Sequence, residues 1–184
     1  MTRDLIERAV AGDHDAFVSL AGMAYTRLDR LTRLILRDDD AAADAVQEAL
    51  TAAWLHIRAV RDPGRFDAWL NRLAVHAAYR ESRRRRTRLV EIRVPQMDLA
   101  DGRDAVGAVD ARDQLDRAFR RLNPQQRAVL AAHHYLDLSD AETGALLGIP
   151  VGTVKSRLNR ATIALRAAIE ADNRTTGVAT EVPA

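Results

Sequence analysis

The sequence predicts an all-α protein: two small helical domains joined by a flexible linker, the C-terminal domain containing a helix-turn-helix. Three observations predict it. Aromatic residues make up only 4% of the 184 residues while hydrophobic residues reach 47%, and alanine is abundant in every segment. Alanine loses no side-chain entropy in a helix, whereas strands favour β-branched and aromatic residues. Apolar positions recur at helical spacing along most of the chain. That period fails across 89–108, where Pro95, Gly102, Gly107 and scattered acids mark a linker. The expected boundaries are a first domain at 1–88, an acidic linker at 89–108, a second domain at 109–170 and a frayed, disordered tail at 171–184.

In the first domain, Phe17, Leu20, Met23, Ala24, Leu28, Leu31 and Ile35 keep helical spacing within 5–37. Asp38-Asp39-Asp40 interrupts the pattern and places acids at the start of the next helix, where the macrodipole favours them. Over 41–59, Val46, Leu50, Ala53, Trp54 and Ile57 form one stripe and Asp44, Gln47, Glu48 and Thr51 another. Asp62-Pro63-Gly64 is a turn signal, and a helix over about 66–86 follows with Trp69, Leu70, Leu73 and Ala77 on its apolar side.

Helical pattern returns at 109–122. Asn123-Pro124-Gln125-Gln126 combines a capping residue, a proline at the first helical position and a glutamine three after the cap, which starts a helix reaching about Tyr135. Ser139-Asp140-Ala141-Glu142 is a second capping box. Its short helix stops at Leu147, with Gly148 free to adopt the left-handed cap. A third helix opens at Val151. Ala145, Leu146, Ile149, Val154 and Leu158 can close a small core between the last two, and the unit is a helix-turn-helix. In the third helix Val151, Val154, Leu158, Ala161 and Leu165 are expected to face inward.

Several function classes drop out early. Cysteine is absent, which removes disulfides, zinc–cysteine sites and thiol chemistry. The five histidines have no acidic neighbours at metal-ligand spacing, so no metal is expected. No nucleophile elbow, P-loop or glycine-rich fingerprint appears, so neither cofactor nor enzymatic activity is expected. No apolar run approaches the ~20 residues that span a bilayer, and the first eight residues carry acids where a signal peptide needs an apolar stretch. No membrane insertion and a cytoplasmic location are the expectation.

Charge is segregated although the net charge is only +2. Residues 38–48 hold five acids and no base; 54–93 hold eleven arginines against four acids; 95–116 hold six aspartates against two arginines; 117–166 hold seven arginines and Lys155 against three acids. Basic blocks suit a polyanion, because neutralising phosphates releases counterions. A solvated helix face is the alternative reading of each run. In the third helix of the second domain, Thr153, Lys155, Ser156, Asn159 and Arg160 point outward near the N-terminus, the part of a helix-turn-helix that enters a major groove, and Arg157 lies near the boundary of the two faces. Lysine or arginine suits guanine edges, asparagine suits adenine, and hydroxyls suit phosphate. In the basic helix, Arg72, His76 and Arg80 share one face, Trp69 precedes them by a turn, and an arginine run from Arg83 and Arg84 to Arg88 extends the charge. Cations beside aromatics suit single-stranded nucleic acid. Core packing is the alternative for Trp69. A stand-alone dimeric helix-turn-helix regulator remains the competing class on these grounds; it leaves the 44–51 face and the basic helix unexplained.

The segments Asp44-Ala45-Val46-Gln47-Glu48-Ala49-Leu50, Ala53-Trp54 and Phe66-Asp67-Ala68-Trp69-Leu70-Asn71-Arg72-Leu73-Ala74 resemble the second domain of bacterial sigma factors. Leu122-Asn123-Pro124-Gln125-Gln126-Arg127-Ala128-Val129-Leu130 and Leu147-Gly148-Ile149-Pro150-Val151-Gly152-Thr153-Val154-Lys155-Ser156-Arg157-Leu158 resemble the fourth. Without a domain between them, the chain is similar to the extracytoplasmic-function group. The resemblance implies a non-enzymatic factor that binds core RNA polymerase and promoter DNA, is held by an anti-sigma factor, and takes no small-molecule substrate. It implies that Asp44, Gln47, Glu48 and Thr51 dock on polymerase. It also implies that Arg65, Trp69, Arg72, His76, Arg80, Arg83 and Arg84 capture the melted −10 strand, and that the acidic linker follows the polymerase channel that later carries RNA. His133, Thr153, Lys155, Ser156, Arg157, Asn159 and Arg160 would read the −35 duplex. His76 stands where the family often has asparagine, and His133 where a basic residue often meets phosphate.

Overall fold

The computed structural model describes residues 2–91 and 109–178, with side chains through 87 and again over 113–173. Among the described residues every regular element is helical. The expected linker therefore lies mostly outside them, as do residues 179–184.

The first module comprises α1 (Thr2–Val10), α2 (His14–Leu36), α3 (Asp39–His56) and α4 (Phe66–Glu91), with 3-10 turns at Ile57–Ala59 and Pro63–Arg65 before α4. The periodic stretch 5–37 is thus two helices. Gly12, at φ +104°, turns the chain, and the Asp13 carboxylate accepts from the Ala16 N–H to start α2. That hydrogen bond, with Arg8 beside it, holds the Asp13 carboxyl below its usual range. α2 ends at Arg37, whose φ of +59° is left-handed, and Asp38 caps α3 by accepting from the Ala41 N–H at 2.8 Å. Burial works against the Asp38 charge, but the Ala41 N–H and Arg85, 2.7 Å away, leave its carboxyl below the ordinary value. Leu28, Leu31, Ile35, Val46, Ile57, Leu70 and Val75 are the large, fully buried side chains. The buried residues of α3 and α4 are rich in alanine: Ala42, Ala45, Ala49 and Ala53 on one helix, Ala74, Ala77 and Ala78 on the other. Small side chains let two helices approach closely.

The second module comprises α5 (Val109–Arg120), α6 (Pro124–Leu130) continued by a π turn (Ala131–Tyr135), α7 (Asp140–Leu147) and α8 (Val151–Val178). Both capping boxes form: Asn123 with Gln126, and Ser139 with Glu142. Gly148 ends α7 at φ +67°, as expected. Gly144 is required for a different reason. A Cβ built there would stand 2.8 Å from the Ile149 carbonyl oxygen, because the turn between the two arms closes directly over that glycine.

Three expectations need correction. Residues 171–178 are helical rather than a frayed tail, because Asp172 is buried and accepts from Arg117 at 3.2 Å and Arg121 at 2.5 Å, which ties the end of α8 to α5. Val151 is only partly inward: it is 42% exposed at the first turn of α8, its Cγ2 lying toward Gly144, while Val154 is fully buried. Ala145 is likewise exposed, and Thr143 and Gly144 take the buried side of α7.

The modules are packed together. α2 and α4 meet α6, α7 and the π turn, and buried residues of both belong to one apolar cluster. Arg37 forms an ion pair across this seam with Asp116 of α5 at 3.0 Å.

Gly144→Ala should destabilise the protein by about 1–3 kcal/mol, because backbone must move. Gly22→Ala on the open face of α2, with no atom within 4 Å, should stabilise it by about 0.5–1 kcal/mol. Urea midpoints of the two variants check this; equal shifts would contradict the tight-turn account.

Candidate functional site

The acidic stripe of α3 and the basic row of α4 lie side by side because the alanine faces bring the helices together. Asp44, Gln47 and Thr51 are exposed and Glu48 is half-buried. With Ala52, Leu55, His56, Glu81 and Arg84 they line an open groove. The Thr51 hydroxyl donates to the Gln47 carbonyl at 2.8 Å, which fixes its rotamer on the helix. The Glu48 carboxylate accepts from Arg80 Nε at 2.8 Å and from Arg84 Nη1 at 3.4 Å. Two arginines of the predicted −10 set are therefore joined to an acid of the predicted docking set. Sequence reasoning missed Leu55. It is 69% exposed at the edge of this groove, and an isolated leucine after a tryptophan carries no signal in the sequence.

Arg72, His76, Arg80, Arg83 and Arg84 are exposed along α4, and Arg65 is exposed at its entry, 3.6 Å from Asp62. Trp69 is half-buried, its ring centroid 5.9 Å from that of Phe66. It packs against the apolar cluster yet keeps part of its surface at the edge of the basic row. His76 is held mainly neutral. Burial pushes its imidazolium down from the ordinary value, and the Arg72 and Arg80 cations add to the effect.

In α8, Lys155, Ser156, Asn159 and Arg160 are exposed, and Thr153 and Arg157 are half-buried. The Arg160 Nε donates to the Ser156 carbonyl at 3.1 Å, and the Ser156 hydroxyl donates to the Thr153 carbonyl at 3.1 Å. These hold this outward face in place on a helix anchored by the buried Val154 and Ala161. His133 lies in the π turn, half-buried, with Nε2 3.9 Å from Asp140 and its ring against His134. The Arg157 cation acts on Tyr79 of the first module: burial pushes the Tyr79 phenol up, and Arg157 pulls it the other way. Among the described residues no group of histidines and acids is arranged to hold a metal, and no helix is long and apolar enough to cross a membrane.

A helix-turn-helix with a cationic, hydrogen-bonding first turn, carried beside a second basic helix and an acidic groove, defines a helical DNA-binding transcription factor. Comparisons with known proteins specify the family. Residues 21–88 match Sigma-70 region 2, and residues 112–165 match Sigma-70, region 4. The chain is 34% identical to the ECF RNA polymerase sigma factor SigM of Mycobacterium tuberculosis, over 86% of this chain and 79% of that protein. It is 28% identical to the ECF RNA polymerase sigma factor SigW of Bacillus subtilis, over 90% and 95%. The structure of CnrH in complex with the cytosolic domain of CnrY aligns with a TM-score of 0.65 at 26% identity, covering 93% of this chain and 98% of that one. The chain belongs to the ECF group of RNA polymerase sigma factors, and it directs transcription initiation.

The His76 resonance should titrate below the free-histidine value, and Arg72→Ala should move its midpoint upward. Because the folded pKa is depressed, the unfolded chain binds this proton first. Stability should therefore fall as pH drops through the unfolded value of about 6.5. NMR titration of the two proteins decides; an unmoved midpoint would remove the Arg72 contribution.

Proposed function

We propose that this sigma factor divides promoter recognition between its modules: α8 reads the −35 element as duplex, and α4 with the preceding turn captures the non-template strand of the melted −10 element. The observation that carries the reading is the disposition of exposed groups. Lys155, Ser156, Asn159 and Arg160 form a compact outward face at the start of α8, suited to base edges and phosphates of a major groove. Thr153, Arg157 and His133 border that face and contribute phosphate contacts. The α4 surface is different in kind: a long cationic row of Arg65, Arg72, Arg80, Arg83 and Arg84 follows a single phosphate chain, with Trp69 and neutral His76 offering rings to unstacked bases. Holding a base outside the stack offsets the few kcal/mol that unstacking costs.

The acidic groove on α3 supplies the third surface. Asp44, Gln47, Glu48 and Thr51 dock on a cationic surface of core polymerase, with Leu55 as an apolar anchor at the groove edge. CnrH is solved with the cytosolic domain of CnrY; by the same kinship, an anti-sigma factor regulates this chain. A groove in which acids outnumber the single arginine, beside an exposed leucine, fits a specific protein interface, where an apolar anchor supplies affinity and charge sets orientation.

Lys155→Ala and Arg160→Ala should each weaken −35 duplex binding by the holoenzyme about 5–100-fold where the contact is to a base edge, and should flatten the salt dependence where it is to phosphate. Glu48→Lys should lose core polymerase while keeping its helical circular dichroism. Footprinting of holoenzyme at several salt concentrations and co-elution with core polymerase measure these effects. An unaltered −35 footprint in both α8 variants removes the recognition helix, and unchanged core affinity removes the docking face.

A further inference from the structure

One side of α2 holds the helix on α1, α3, α4 and α6; the other side is turned outward and carries an apolar surface. Val18, Met23 and Tyr25 are 54%, 59% and 48% exposed there, with Ser19 and Thr26 exposed between them. No residue from 16 to 26 is charged, in a chain whose residues are 29% charged. Gly22 stands at the middle of this face. Its φ is not positive, and a Cβ there would meet nothing within 4 Å. Glycine inside a helix costs stability relative to alanine, so neither the backbone nor the packing of this chain accounts for it. A bare spot on an open helix face does let a second helix come close, because the side chains at the contact set the axial separation. The two ends of the face carry opposite charge. Asp15 lies one turn before Val18 and Arg30 one turn after Thr26. Both are exposed, and neither side chain makes an ion pair or hydrogen bond among the described residues.

We propose that the outer face of α2 binds a second copy of this chain, the two helices running antiparallel across a two-fold axis at Gly22. The order of residues along the face sets this arrangement. About that axis Asp15 falls beside the partner's Arg30, Val18 beside the partner's Tyr25, and Ser19 beside the partner's Thr26. Each pairing centres within about half a residue of Gly22, or ~0.75 Å along the helix. A parallel pair would instead set Asp15 against Asp15 and Arg30 against Arg30, which like charge opposes. The face is thus complementary to itself, as an isologous two-fold interface requires and an unrelated partner does not. At the axis the two glycines let the backbones approach to ~8 Å, the short end of helix separations, while Tyr25 and Met23 cover the two flanks. The α3–α4 groove and the outward side of α8 contribute no residue to this contact. A helix face ~24 Å long buries well under the ~800 Å² per partner of a standard interface, so the pair is weak and reversible, with a dissociation constant on the order of 10–100 μM.

Sedimentation equilibrium of the full chain, at concentrations on either side of that constant, should show a mean mass rising toward twice that of the monomer. Gly22→Leu, which the open surface of a single chain accommodates, should weaken association about tenfold or more by a clash at the axis, and Tyr25→Glu should do the same. Asp15→Arg and Arg30→Asp should each weaken it, and the doubly exchanged protein should recover most of the loss. Because the chain has no cysteine, Gly22→Cys introduces a single thiol close to its symmetry mate. It should oxidise to a covalent dimer well ahead of Ala167→Cys on the exposed side of α8. A chain that stays monomeric throughout overturns the proposal, as does a dimer untouched by both Gly22→Leu and Tyr25→Glu. Equal cross-linking of the two thiols, or no recovery in the exchanged protein, overturns the antiparallel axis. A monomer in which Tyr25→Glu instead reduces co-elution with core polymerase gives the face to that partner and equally overturns a second copy. Helical circular dichroism and a cooperative melt identify any variant that has lost its fold.

Discussion

The close approach of α3 and α4 through their alanine faces is the constraint on which the first module depends. Ala45, Ala49 and Ala53 share one buried cluster with Ala74, Ala77 and Ala78. With larger residues there, the axes would separate by a side chain and the Glu48 carboxylate would no longer reach Arg80 and Arg84. The packing thus sets the spacing of two surfaces of opposite charge. An acidic groove and a basic row on adjacent helices also screen one another until partners arrive, and an exposed ion pair of this kind is worth little by itself. Its consequence is geometric: the acidic groove and the basic row share ion-paired side chains, so anything that engages Glu48 acts on Arg80 and Arg84 at the same time.

The second module is organised by backbone chemistry more than by bulk. Two capping boxes start α6 and α7, and the left-handed cap at Gly148 with the tight contact over Gly144 sets the angle at which α8 leaves α7. Val154 and Ala161 then fix its rotation, and Lys155, Ser156, Asn159 and Arg160 are left facing outward on a rigid support. The far end of α8 is held separately, by Asp172 between Arg117 and Arg121. A helix clamped at both ends holds its outward side chains with little conformational freedom left to lose on binding.

How much of this was legible in the sequence depended on how local the cause was. The capping boxes, the turn glycine at 148 and the two stripes of α3 are written in residues three or four apart, and the structure places them accordingly. The family resemblance rested on the same segments. The longer α8 was not legible, because residues 171–178 are poor in apolar side chains and are helical through an ion pair made more than fifty positions away. Val151 was misplaced because an apolar residue at the first turn of a helix need not face its core; there the chain enters from Pro150, and Gly144 leaves the nearby space to the Ile149 backbone. Arg127 offered no warning at all. In sequence it is one arginine among 27, yet the fold leaves it only 8% exposed. Leu55 is the converse case, an apolar residue at the groove edge that the fold leaves uncovered.

The account's central claim is that one chain presents a duplex-reading face and a strand-capturing face to a promoter through core polymerase. Reconstituted single-round transcription tests it most directly, with purified core polymerase and paired templates that differ only in whether the −10 region is duplex or already melted. The account predicts specific starts only when the chain is added. It also predicts that Arg72→Ala and Arg80→Ala together reduce starts on the melted template, because strand capture is still required there. Equal activity of that double variant on the melted template, or specific starts by polymerase without the chain, would contradict it.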